Sequence, residues 1–145
     1  MGNSSVTDLL LDTHIALWLD SGDERLGTTS RRTIEAAWDG GGRLFFSAVS
    51  VWEIAVLVDK GFIELDLPVR AWVDRFFGRP GLEAVPLDHK AAALAHNLGD
   101  LDHRDPADRL LIATAIGLGC PLITHDGRIR RFAKGRGKQL GFTVA

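Results

Sequence analysis

Leu9-Leu10-Leu11-Asp12-Thr13-His14-Ile15-Ala16-Leu17-Trp18-Leu19 is the stretch on which the fold turns. Three consecutive leucines show no polar alternation, so residues 9–11 read as a short strand buried on both faces and ended by Asp12. A helix starts over 15–19. The same unit recurs downstream. Residues 44–46 (Leu-Phe-Phe) form a second buried strand, followed by a helix over 50–58, and residues 122–124 form another strand. Helices also fit 29–38, 68–77, 88–98 and 106–118, with shorter strands at 83–85 and 141–144. All-apolar strands separated by helices indicate a parallel sheet covered on both faces. The class is α/β, a three-layer α/β/α sandwich around a mostly parallel sheet of about five strands.

The 145 residues, 46% hydrophobic and 25% charged, suit one globular domain, placed at 8–145 after a loose polar end at 1–7. The lone Cys120 excludes a disulfide scaffold and a Cys-rich zinc site, and reads as a small buried hydrophobe. The longest uncharged apolar stretch, 110–123, is interrupted by Gly117, Gly119 and Pro121. It falls short of the ~20 residues a membrane span needs. No basic region leads into an apolar core at the N-terminus, so the chain is expected to be cytoplasmic, with no membrane partner. The net charge of −2 hides an asymmetry: residues 1–126 hold 11 Lys/Arg and all 19 Asp/Glu, whereas 127–145 hold 6 Lys/Arg and no acid. That pattern suggests an acidic site beside a basic segment able to meet an anion.

In open α/β sheets ligands bind beyond the carboxyl ends of the strands. Four acids map there: Asp12 after the first strand, Glu53 in the helix after the second, Asp108 in the helix from Pro106, and Asp126 just past the strand ending at Thr124. Each has a plain structural reading. Ser50-Val-Trp-Glu53 fits a capping box, Asp105-Pro-Ala-Asp108 fits a capped helix start, and Asp12 and Asp126 can cap the helices they precede. Convergence weighs against capping alone. Two carboxylates about 6 Å apart repel by roughly 3 kcal/mol at an effective dielectric near 20, whereas a cap contributes about 1 kcal/mol and needs only Ser or Asn. Four crowded acids suit a hard divalent cation such as Mg²⁺.

These segments carry a family resemblance. Leu9-Leu-Leu-Asp12-Thr-His-Ile-Ala-Leu-Trp18 resembles the opening of PIN-domain proteins, and Ser47-Ala-Val-Ser-Val-Trp-Glu53-Ile-Ala their second motif. His103-Arg-Asp-Pro-Ala-Asp108-Arg-Leu-Leu-Ile-Ala-Thr-Ala115 resembles the third, and Leu122-Ile-Thr-His-Asp126 the fourth. The four stand in order at family spacing, and VapC-type toxins of toxin–antitoxin pairs are the nearest subgroup. The resemblance implies an RNA endonuclease using one or two Mg²⁺ or Mn²⁺ ions, usually a homodimer, held in check by a VapB-type antitoxin. It implies Asp12, Glu53, Asp108 and Asp126 as the acidic quartet, with Asp12 and Asp108 on the main ion. Glu53 and Asp126 would hold a second ion or orient the attacking water. Asp105, Thr124, Ser47 and Arg109 are expected close behind the quartet or against substrate. Ala107 departs from the subgroup's frequent Phe, and the Gly- and Lys/Arg-rich residues 135–138 read as longer or looser than usual before the last strand.

Other residues admit two readings. His14 and His125 adjoin quartet acids and fit either exposed histidines or phosphate contacts; His103 and Arg104 fit substrate contacts or a solvated loop. Trp18, Trp38, Trp52 and Trp72 read as packing residues rather than base-stacking ones. Arg128, Arg130, Arg131 and Lys134, with Arg136 and Lys138, fit RNA phosphates or an acidic antitoxin segment. Against the nuclease stand two alternatives, a PIN-like module that binds RNA or protein without cutting and an aspartate-dependent phosphatase. The latter wants a second Asp two residues after the first, where His14 stands.

Overall fold

The computed structural model describes residues 7–99 and 105–145. Expectations for residues 1–6, and for His103 and Arg104, lie outside the described residues. In chain order the elements are β1 (Leu9–Leu11), α1 (Thr13–Ser21), α2 (Thr28–Asp39), β2 (Leu44–Ser47), α3 (Ala48–Asp59), α4 (Val69–Phe77), β3 (Leu82–Val85), α5 (His89–His96), α6 (Pro106–Leu118), β4 (Leu122–Ile123) and α7 (Gly127–Phe132). The strands lie in the order β3-β2-β1-β4, and every pairing is parallel.

Successive residues of the central strands feed opposite cores, as the two-residue period of a strand requires. Leu9, Leu11 and Phe46 pack with Ile15 and Leu19 of α1, Ile34 of α2, and Trp72 and Phe76 of α4. Leu10, Phe45 and Leu122 pack on the other face with Leu111 and Ile112 of α6 and Ile129 and Phe132 of α7. The apolar strands are thus covered on both sides, giving the three layers.

Two expectations are corrected. The expected strand at 141–144 is reduced to one parallel bridge between Leu122 and Val144, so four strands and a bridge replace about five. The cause is the preceding segment. It stays helical from Gly127 through a π-helical turn, Ala133–Gly137, to Leu140, and Phe142 is then turned into the core. The turn requires glycine at 137, where a Cβ would stand only 2.4 Å from the Phe142 carbonyl oxygen. The second correction concerns α3. It starts at Ala48, with the buried Ser47 hydroxyl accepting the Val49 N–H at 3.0 Å. Ser50 is therefore no cap, and no capping box joins it to Glu53.

Candidate active site at the carboxyl edge of the sheet

β1 and β4 end side by side, and the helices that follow them begin at the same edge. Asp12 caps α1, its Oδ1 accepting the Thr13 N–H at 2.7 Å. Asp126 caps α7, taking the Arg128 and Ile129 N–H groups at 2.8 and 3.0 Å. The fully buried Thr124 hydroxyl joins the two: it donates to Asp12 Oδ2 at 2.5 Å and accepts the Asp126 N–H at 3.0 Å. Asp105 caps α6 through the Ala107 N–H at 2.9 Å, with Pro106 following as the first helical residue and Asp108 in the first turn. Glu53 lies in the second turn of α3, where no capping role exists, and its Oε1 accepts the Thr13 hydroxyl at 2.5 Å.

Asp12, Glu53, Asp105, Asp108 and Asp126 line one cavity of about 470 Å³. His14, Ile15, Trp18, Arg25 and His125 complete its wall. Burial lifts the Asp12 carboxyl above its ordinary range, and the Asp126 charge adds to this, against the hydrogen bonds from Thr124 and Thr13. Burial likewise raises Glu53, opposed by the Thr13 hydrogen bond and reinforced by Asp12 and Asp105. Asp108 is pushed up to about 8, first by burial and then by the charges of Asp12, Asp105, Asp126 and Glu53. Arg25 is the only Lys or Arg among the described residues lining the cavity, and Asp23 already holds its guanidinium at 2.7 Å. The cavity thus holds more negative charge than its own cations balance.

The five carboxylates offer the hard oxygen donors that suit Mg²⁺ or Mn²⁺, with the imidazoles of His14 and His125 on the same cavity wall. Among the described residues, no three His, Cys, Asp or Glu side chains converge closely enough to grip one ion together. Mg²⁺ fits such a site nonetheless, because it commonly takes one or two carboxylates and keeps several waters.

The other residues expected near the site divide. Thr124 belongs to it. Ser47 is fully buried as the α3 cap and does not line the cavity. Arg109 is not brought there either; it reaches α5 and donates to the Ala95 carbonyl at 3.1 Å. Consecutive helical residues point about 100° apart, so adjacency to Asp108 carries Arg109 away. The basic run 128–138 continues from α7 beside the cavity without lining it. Arg130 donates to the Thr124 and Ala145 carbonyls, both at 3.1 Å, while Arg128, Arg131 and Lys134 are exposed. Sequence reasoning gave no role to Thr13 or Arg25. A hydroxyl directly after Asp12 was the available signal for Thr13; nothing local marks Arg25.

A family model of the PIN domain matches residues 9–135. The chain belongs to the PIN domain family. This PIN domain is similar to Ribonuclease VapC22 of Mycobacterium tuberculosis (strain ATCC 25618 / H37Rv), with 35% identity over 125 residues, 86% of this chain and 92% of the relative. Among solved structures it resembles VapBC2 from Rickettsia felis bound to a DNA fragment from their promoter, with a TM-score of 0.68 at 15% identity, covering 96% of this chain and 98% of that one. It also resembles FitAB bound to an IR36 DNA fragment, with a TM-score of 0.52 at 17% identity over 94% and 93% of the two chains. At such identities the likeness is one of fold.

Proposed function

We propose that this PIN domain is a divalent-cation-dependent RNA endonuclease and the toxin of a VapB/VapC-type pair. The observation that carries the reading is Asp108, its carboxyl raised to about 8 among four further acids that line the same cavity. A carboxyl held so far from its charged form gains most from a cation. Kinship with a ribonuclease over most of the chain supports RNA as substrate. Asp12 and Asp108 would hold the main Mg²⁺ or Mn²⁺ ion, with Glu53 and Asp126 at a second ion or at the attacking water. When bound, such ions neutralise phosphate charge and make water a stronger nucleophile. Thr124 keeps the Asp12 and Asp126 carboxylates in register. Thr13 holds Glu53 by Oε1, which leaves Oε2 to take a proton from water. An antitoxin of VapB type, a homodimeric assembly and a cytoplasmic setting complete the reading; among the described residues no helix is long and apolar enough to cross a membrane.

Cleavage of single-stranded RNA by the purified chain tests this. With Mg²⁺ or Mn²⁺ the RNA should be cut, excess EDTA should stop the reaction, and added Mn²⁺ should restore it. Full activity in chelator refutes the metal-dependent mechanism. RNA bound but left uncut with Mn²⁺ returns the chain to a binding module.

A further inference from the structure

We propose that His14, Trp18 and His125 form a platform for the nucleobase next to the phosphate that is cut, a role resting on the nuclease reading above. The acidic cavity has a second, aromatic half. His14 and Trp18 stand one turn apart on α1 with ring centroids 5.8 Å apart, and His125, from the loop after β4, lies 5.5 Å from Trp18 on the same cavity. The Arg25 guanidinium lies over the Trp18 ring at 5.4 Å. Both imidazoles are exposed while Trp18 is half-buried, so the indole forms a floor and the imidazoles the accessible faces.

The His125 ring is also held from outside the site. Its Nε2 is hydrogen-bonded to the Ser30 hydroxyl of α2 at 2.8 Å. Ordering an exposed side chain costs rotamer entropy that burial does not return here. A ring fixed in this way is ready to present its face to a ligand.

The location decides what that ligand is. His14 follows Asp12 by two residues and His125 precedes Asp126 directly. A phosphate held through a cation at the carboxylates would therefore place the base of its own nucleotide within reach of these rings. Single-stranded nucleic acid recognition combines phosphate contacts with stacking on aromatic faces, and Arg adds a cation–π contribution. Every base offers a π-face, so the platform favours an unpaired base over any particular base. Trp18 thus has a use beyond packing.

A hexaribonucleotide carrying 2-aminopurine beside the cleavage point tests the platform, with binding read by fluorescence in Ca²⁺ and cleavage read in Mn²⁺. Stacking should quench the probe on the parent protein. Trp18→Phe should retain part of the quench, His14→Ala and His125→Ala should each lose much of it, and Ser30→Ala should weaken it through His125. An abasic nucleotide at the probe position should raise KM by about 10-fold with kcat within about threefold, as loss of one stacked base implies. The same abasic substrate should cost His14→Ala far less. A parent that cuts RNA with no quench and no abasic penalty overturns the platform and leaves the nuclease standing. A parent that neither binds nor cuts the oligonucleotide in Mn²⁺ overturns both. Variants that cut and stack as the parent does, yet bind a co-purified antitoxin more weakly, assign the rings to a protein partner and overturn the proposal.

Discussion

Replacing Asp108 by Asn should stabilise the metal-free protein while removing its activity. The Asp108 carboxyl goes from an ordinary 3.8 to about 8 on folding. Between these values the folded chain binds a proton that the unfolded chain has released, so stability falls as pH rises from about 4 to about 8. Each pH unit contributes about 1.36 kcal/mol, or roughly 4 kcal/mol by pH 7, which solvent screening in an open cavity reduces to about 2. Asn is neutral at every pH and carries no such slope. Asp108→Asn in EDTA at pH 7 should therefore melt roughly 4–8 °C above the parent. The gap should shrink to under about 1 kcal/mol at pH 5. Saturating Mg²⁺ should invert the order. The parent gains about 2.7 kcal/mol at a hundredfold excess over Kd, and the variant gains little. Thermal melts at pH 5 and 7, each in EDTA and in excess Mg²⁺, together with an RNA cleavage assay, decide the matter. A variant that melts below the parent in EDTA and still cuts RNA would show that Asp108 serves the start of α6 and nothing more.

Two further outcomes separate neighbouring roles. If the exposed cations of α7 and its continuation meet RNA phosphates, Arg131→Gln and Lys134→Gln should each reduce the slope of log K against log salt by about 0.7 for a single strand; unchanged slopes assign the run to the antitoxin or to solvent. Arg130→Gln should instead lower Tm by the equivalent of about 1 kcal/mol, because Arg130 braces the Thr124 and Ala145 carbonyls. Thr13→Val keeps the shape of α1 but removes the hydroxyl that donates to Glu53 Oε1 at 2.5 Å and shares a hydrogen bond of 2.9 Å with the Ser50 hydroxyl. It should cost about 1–2 kcal/mol in stability. It should also reduce kcat, with Thr13→Ser restoring it, and a parent-like kcat in Thr13→Val would free Glu53 from that hydroxyl.

The parts of the fold legible in the sequence were those set by local composition. Leu9–Leu11 and the apolar run from Leu44 had no reading other than strands buried on both faces, and the carboxyl edge of a parallel sheet then collected the acids. The start of α3 was not legible. Ser47 and Ser50 are equally good caps in sequence, and what separates them is non-local: Ser50 is buried against Thr13, 37 residues away. The helix after Asp126 was expected only as one that this acid could cap, and its extent was not legible. Its buried face rests on Ile129 and Phe132 alone, set among cations that dominate the composition. The aromatic half of the cavity lay beyond sequence reasoning altogether, since Trp18 and His125 meet only because β1 and β4 are neighbours.

Capping and the proposed metal binding, posed as rivals in the sequence, are compatible in the structure. Asp12, Asp105 and Asp126 each use Oδ1 to cap the helix that follows. A cap bond fixes the carboxyl rotamer, so the start of each helix aims an acid at the cavity. Three helix N-termini also converge there, and their partial positive charges favour anions. Capping nonetheless explains too little. Ser47 does the same work for α3 with a neutral hydroxyl, and α2 starts at Gly27 with no side-chain cap. A position in the first turn of α6 favours an acid by about 0.3–1 kcal/mol, yet Asp108 is driven up to about 8, so its surroundings disfavour the charge on balance. Glu53 has no local reason to be an acid at all, standing in the second turn of a largely apolar helix. Glu53 and Asp108, rather than the three capping aspartates, are therefore the residues on which the proposed cation site rests.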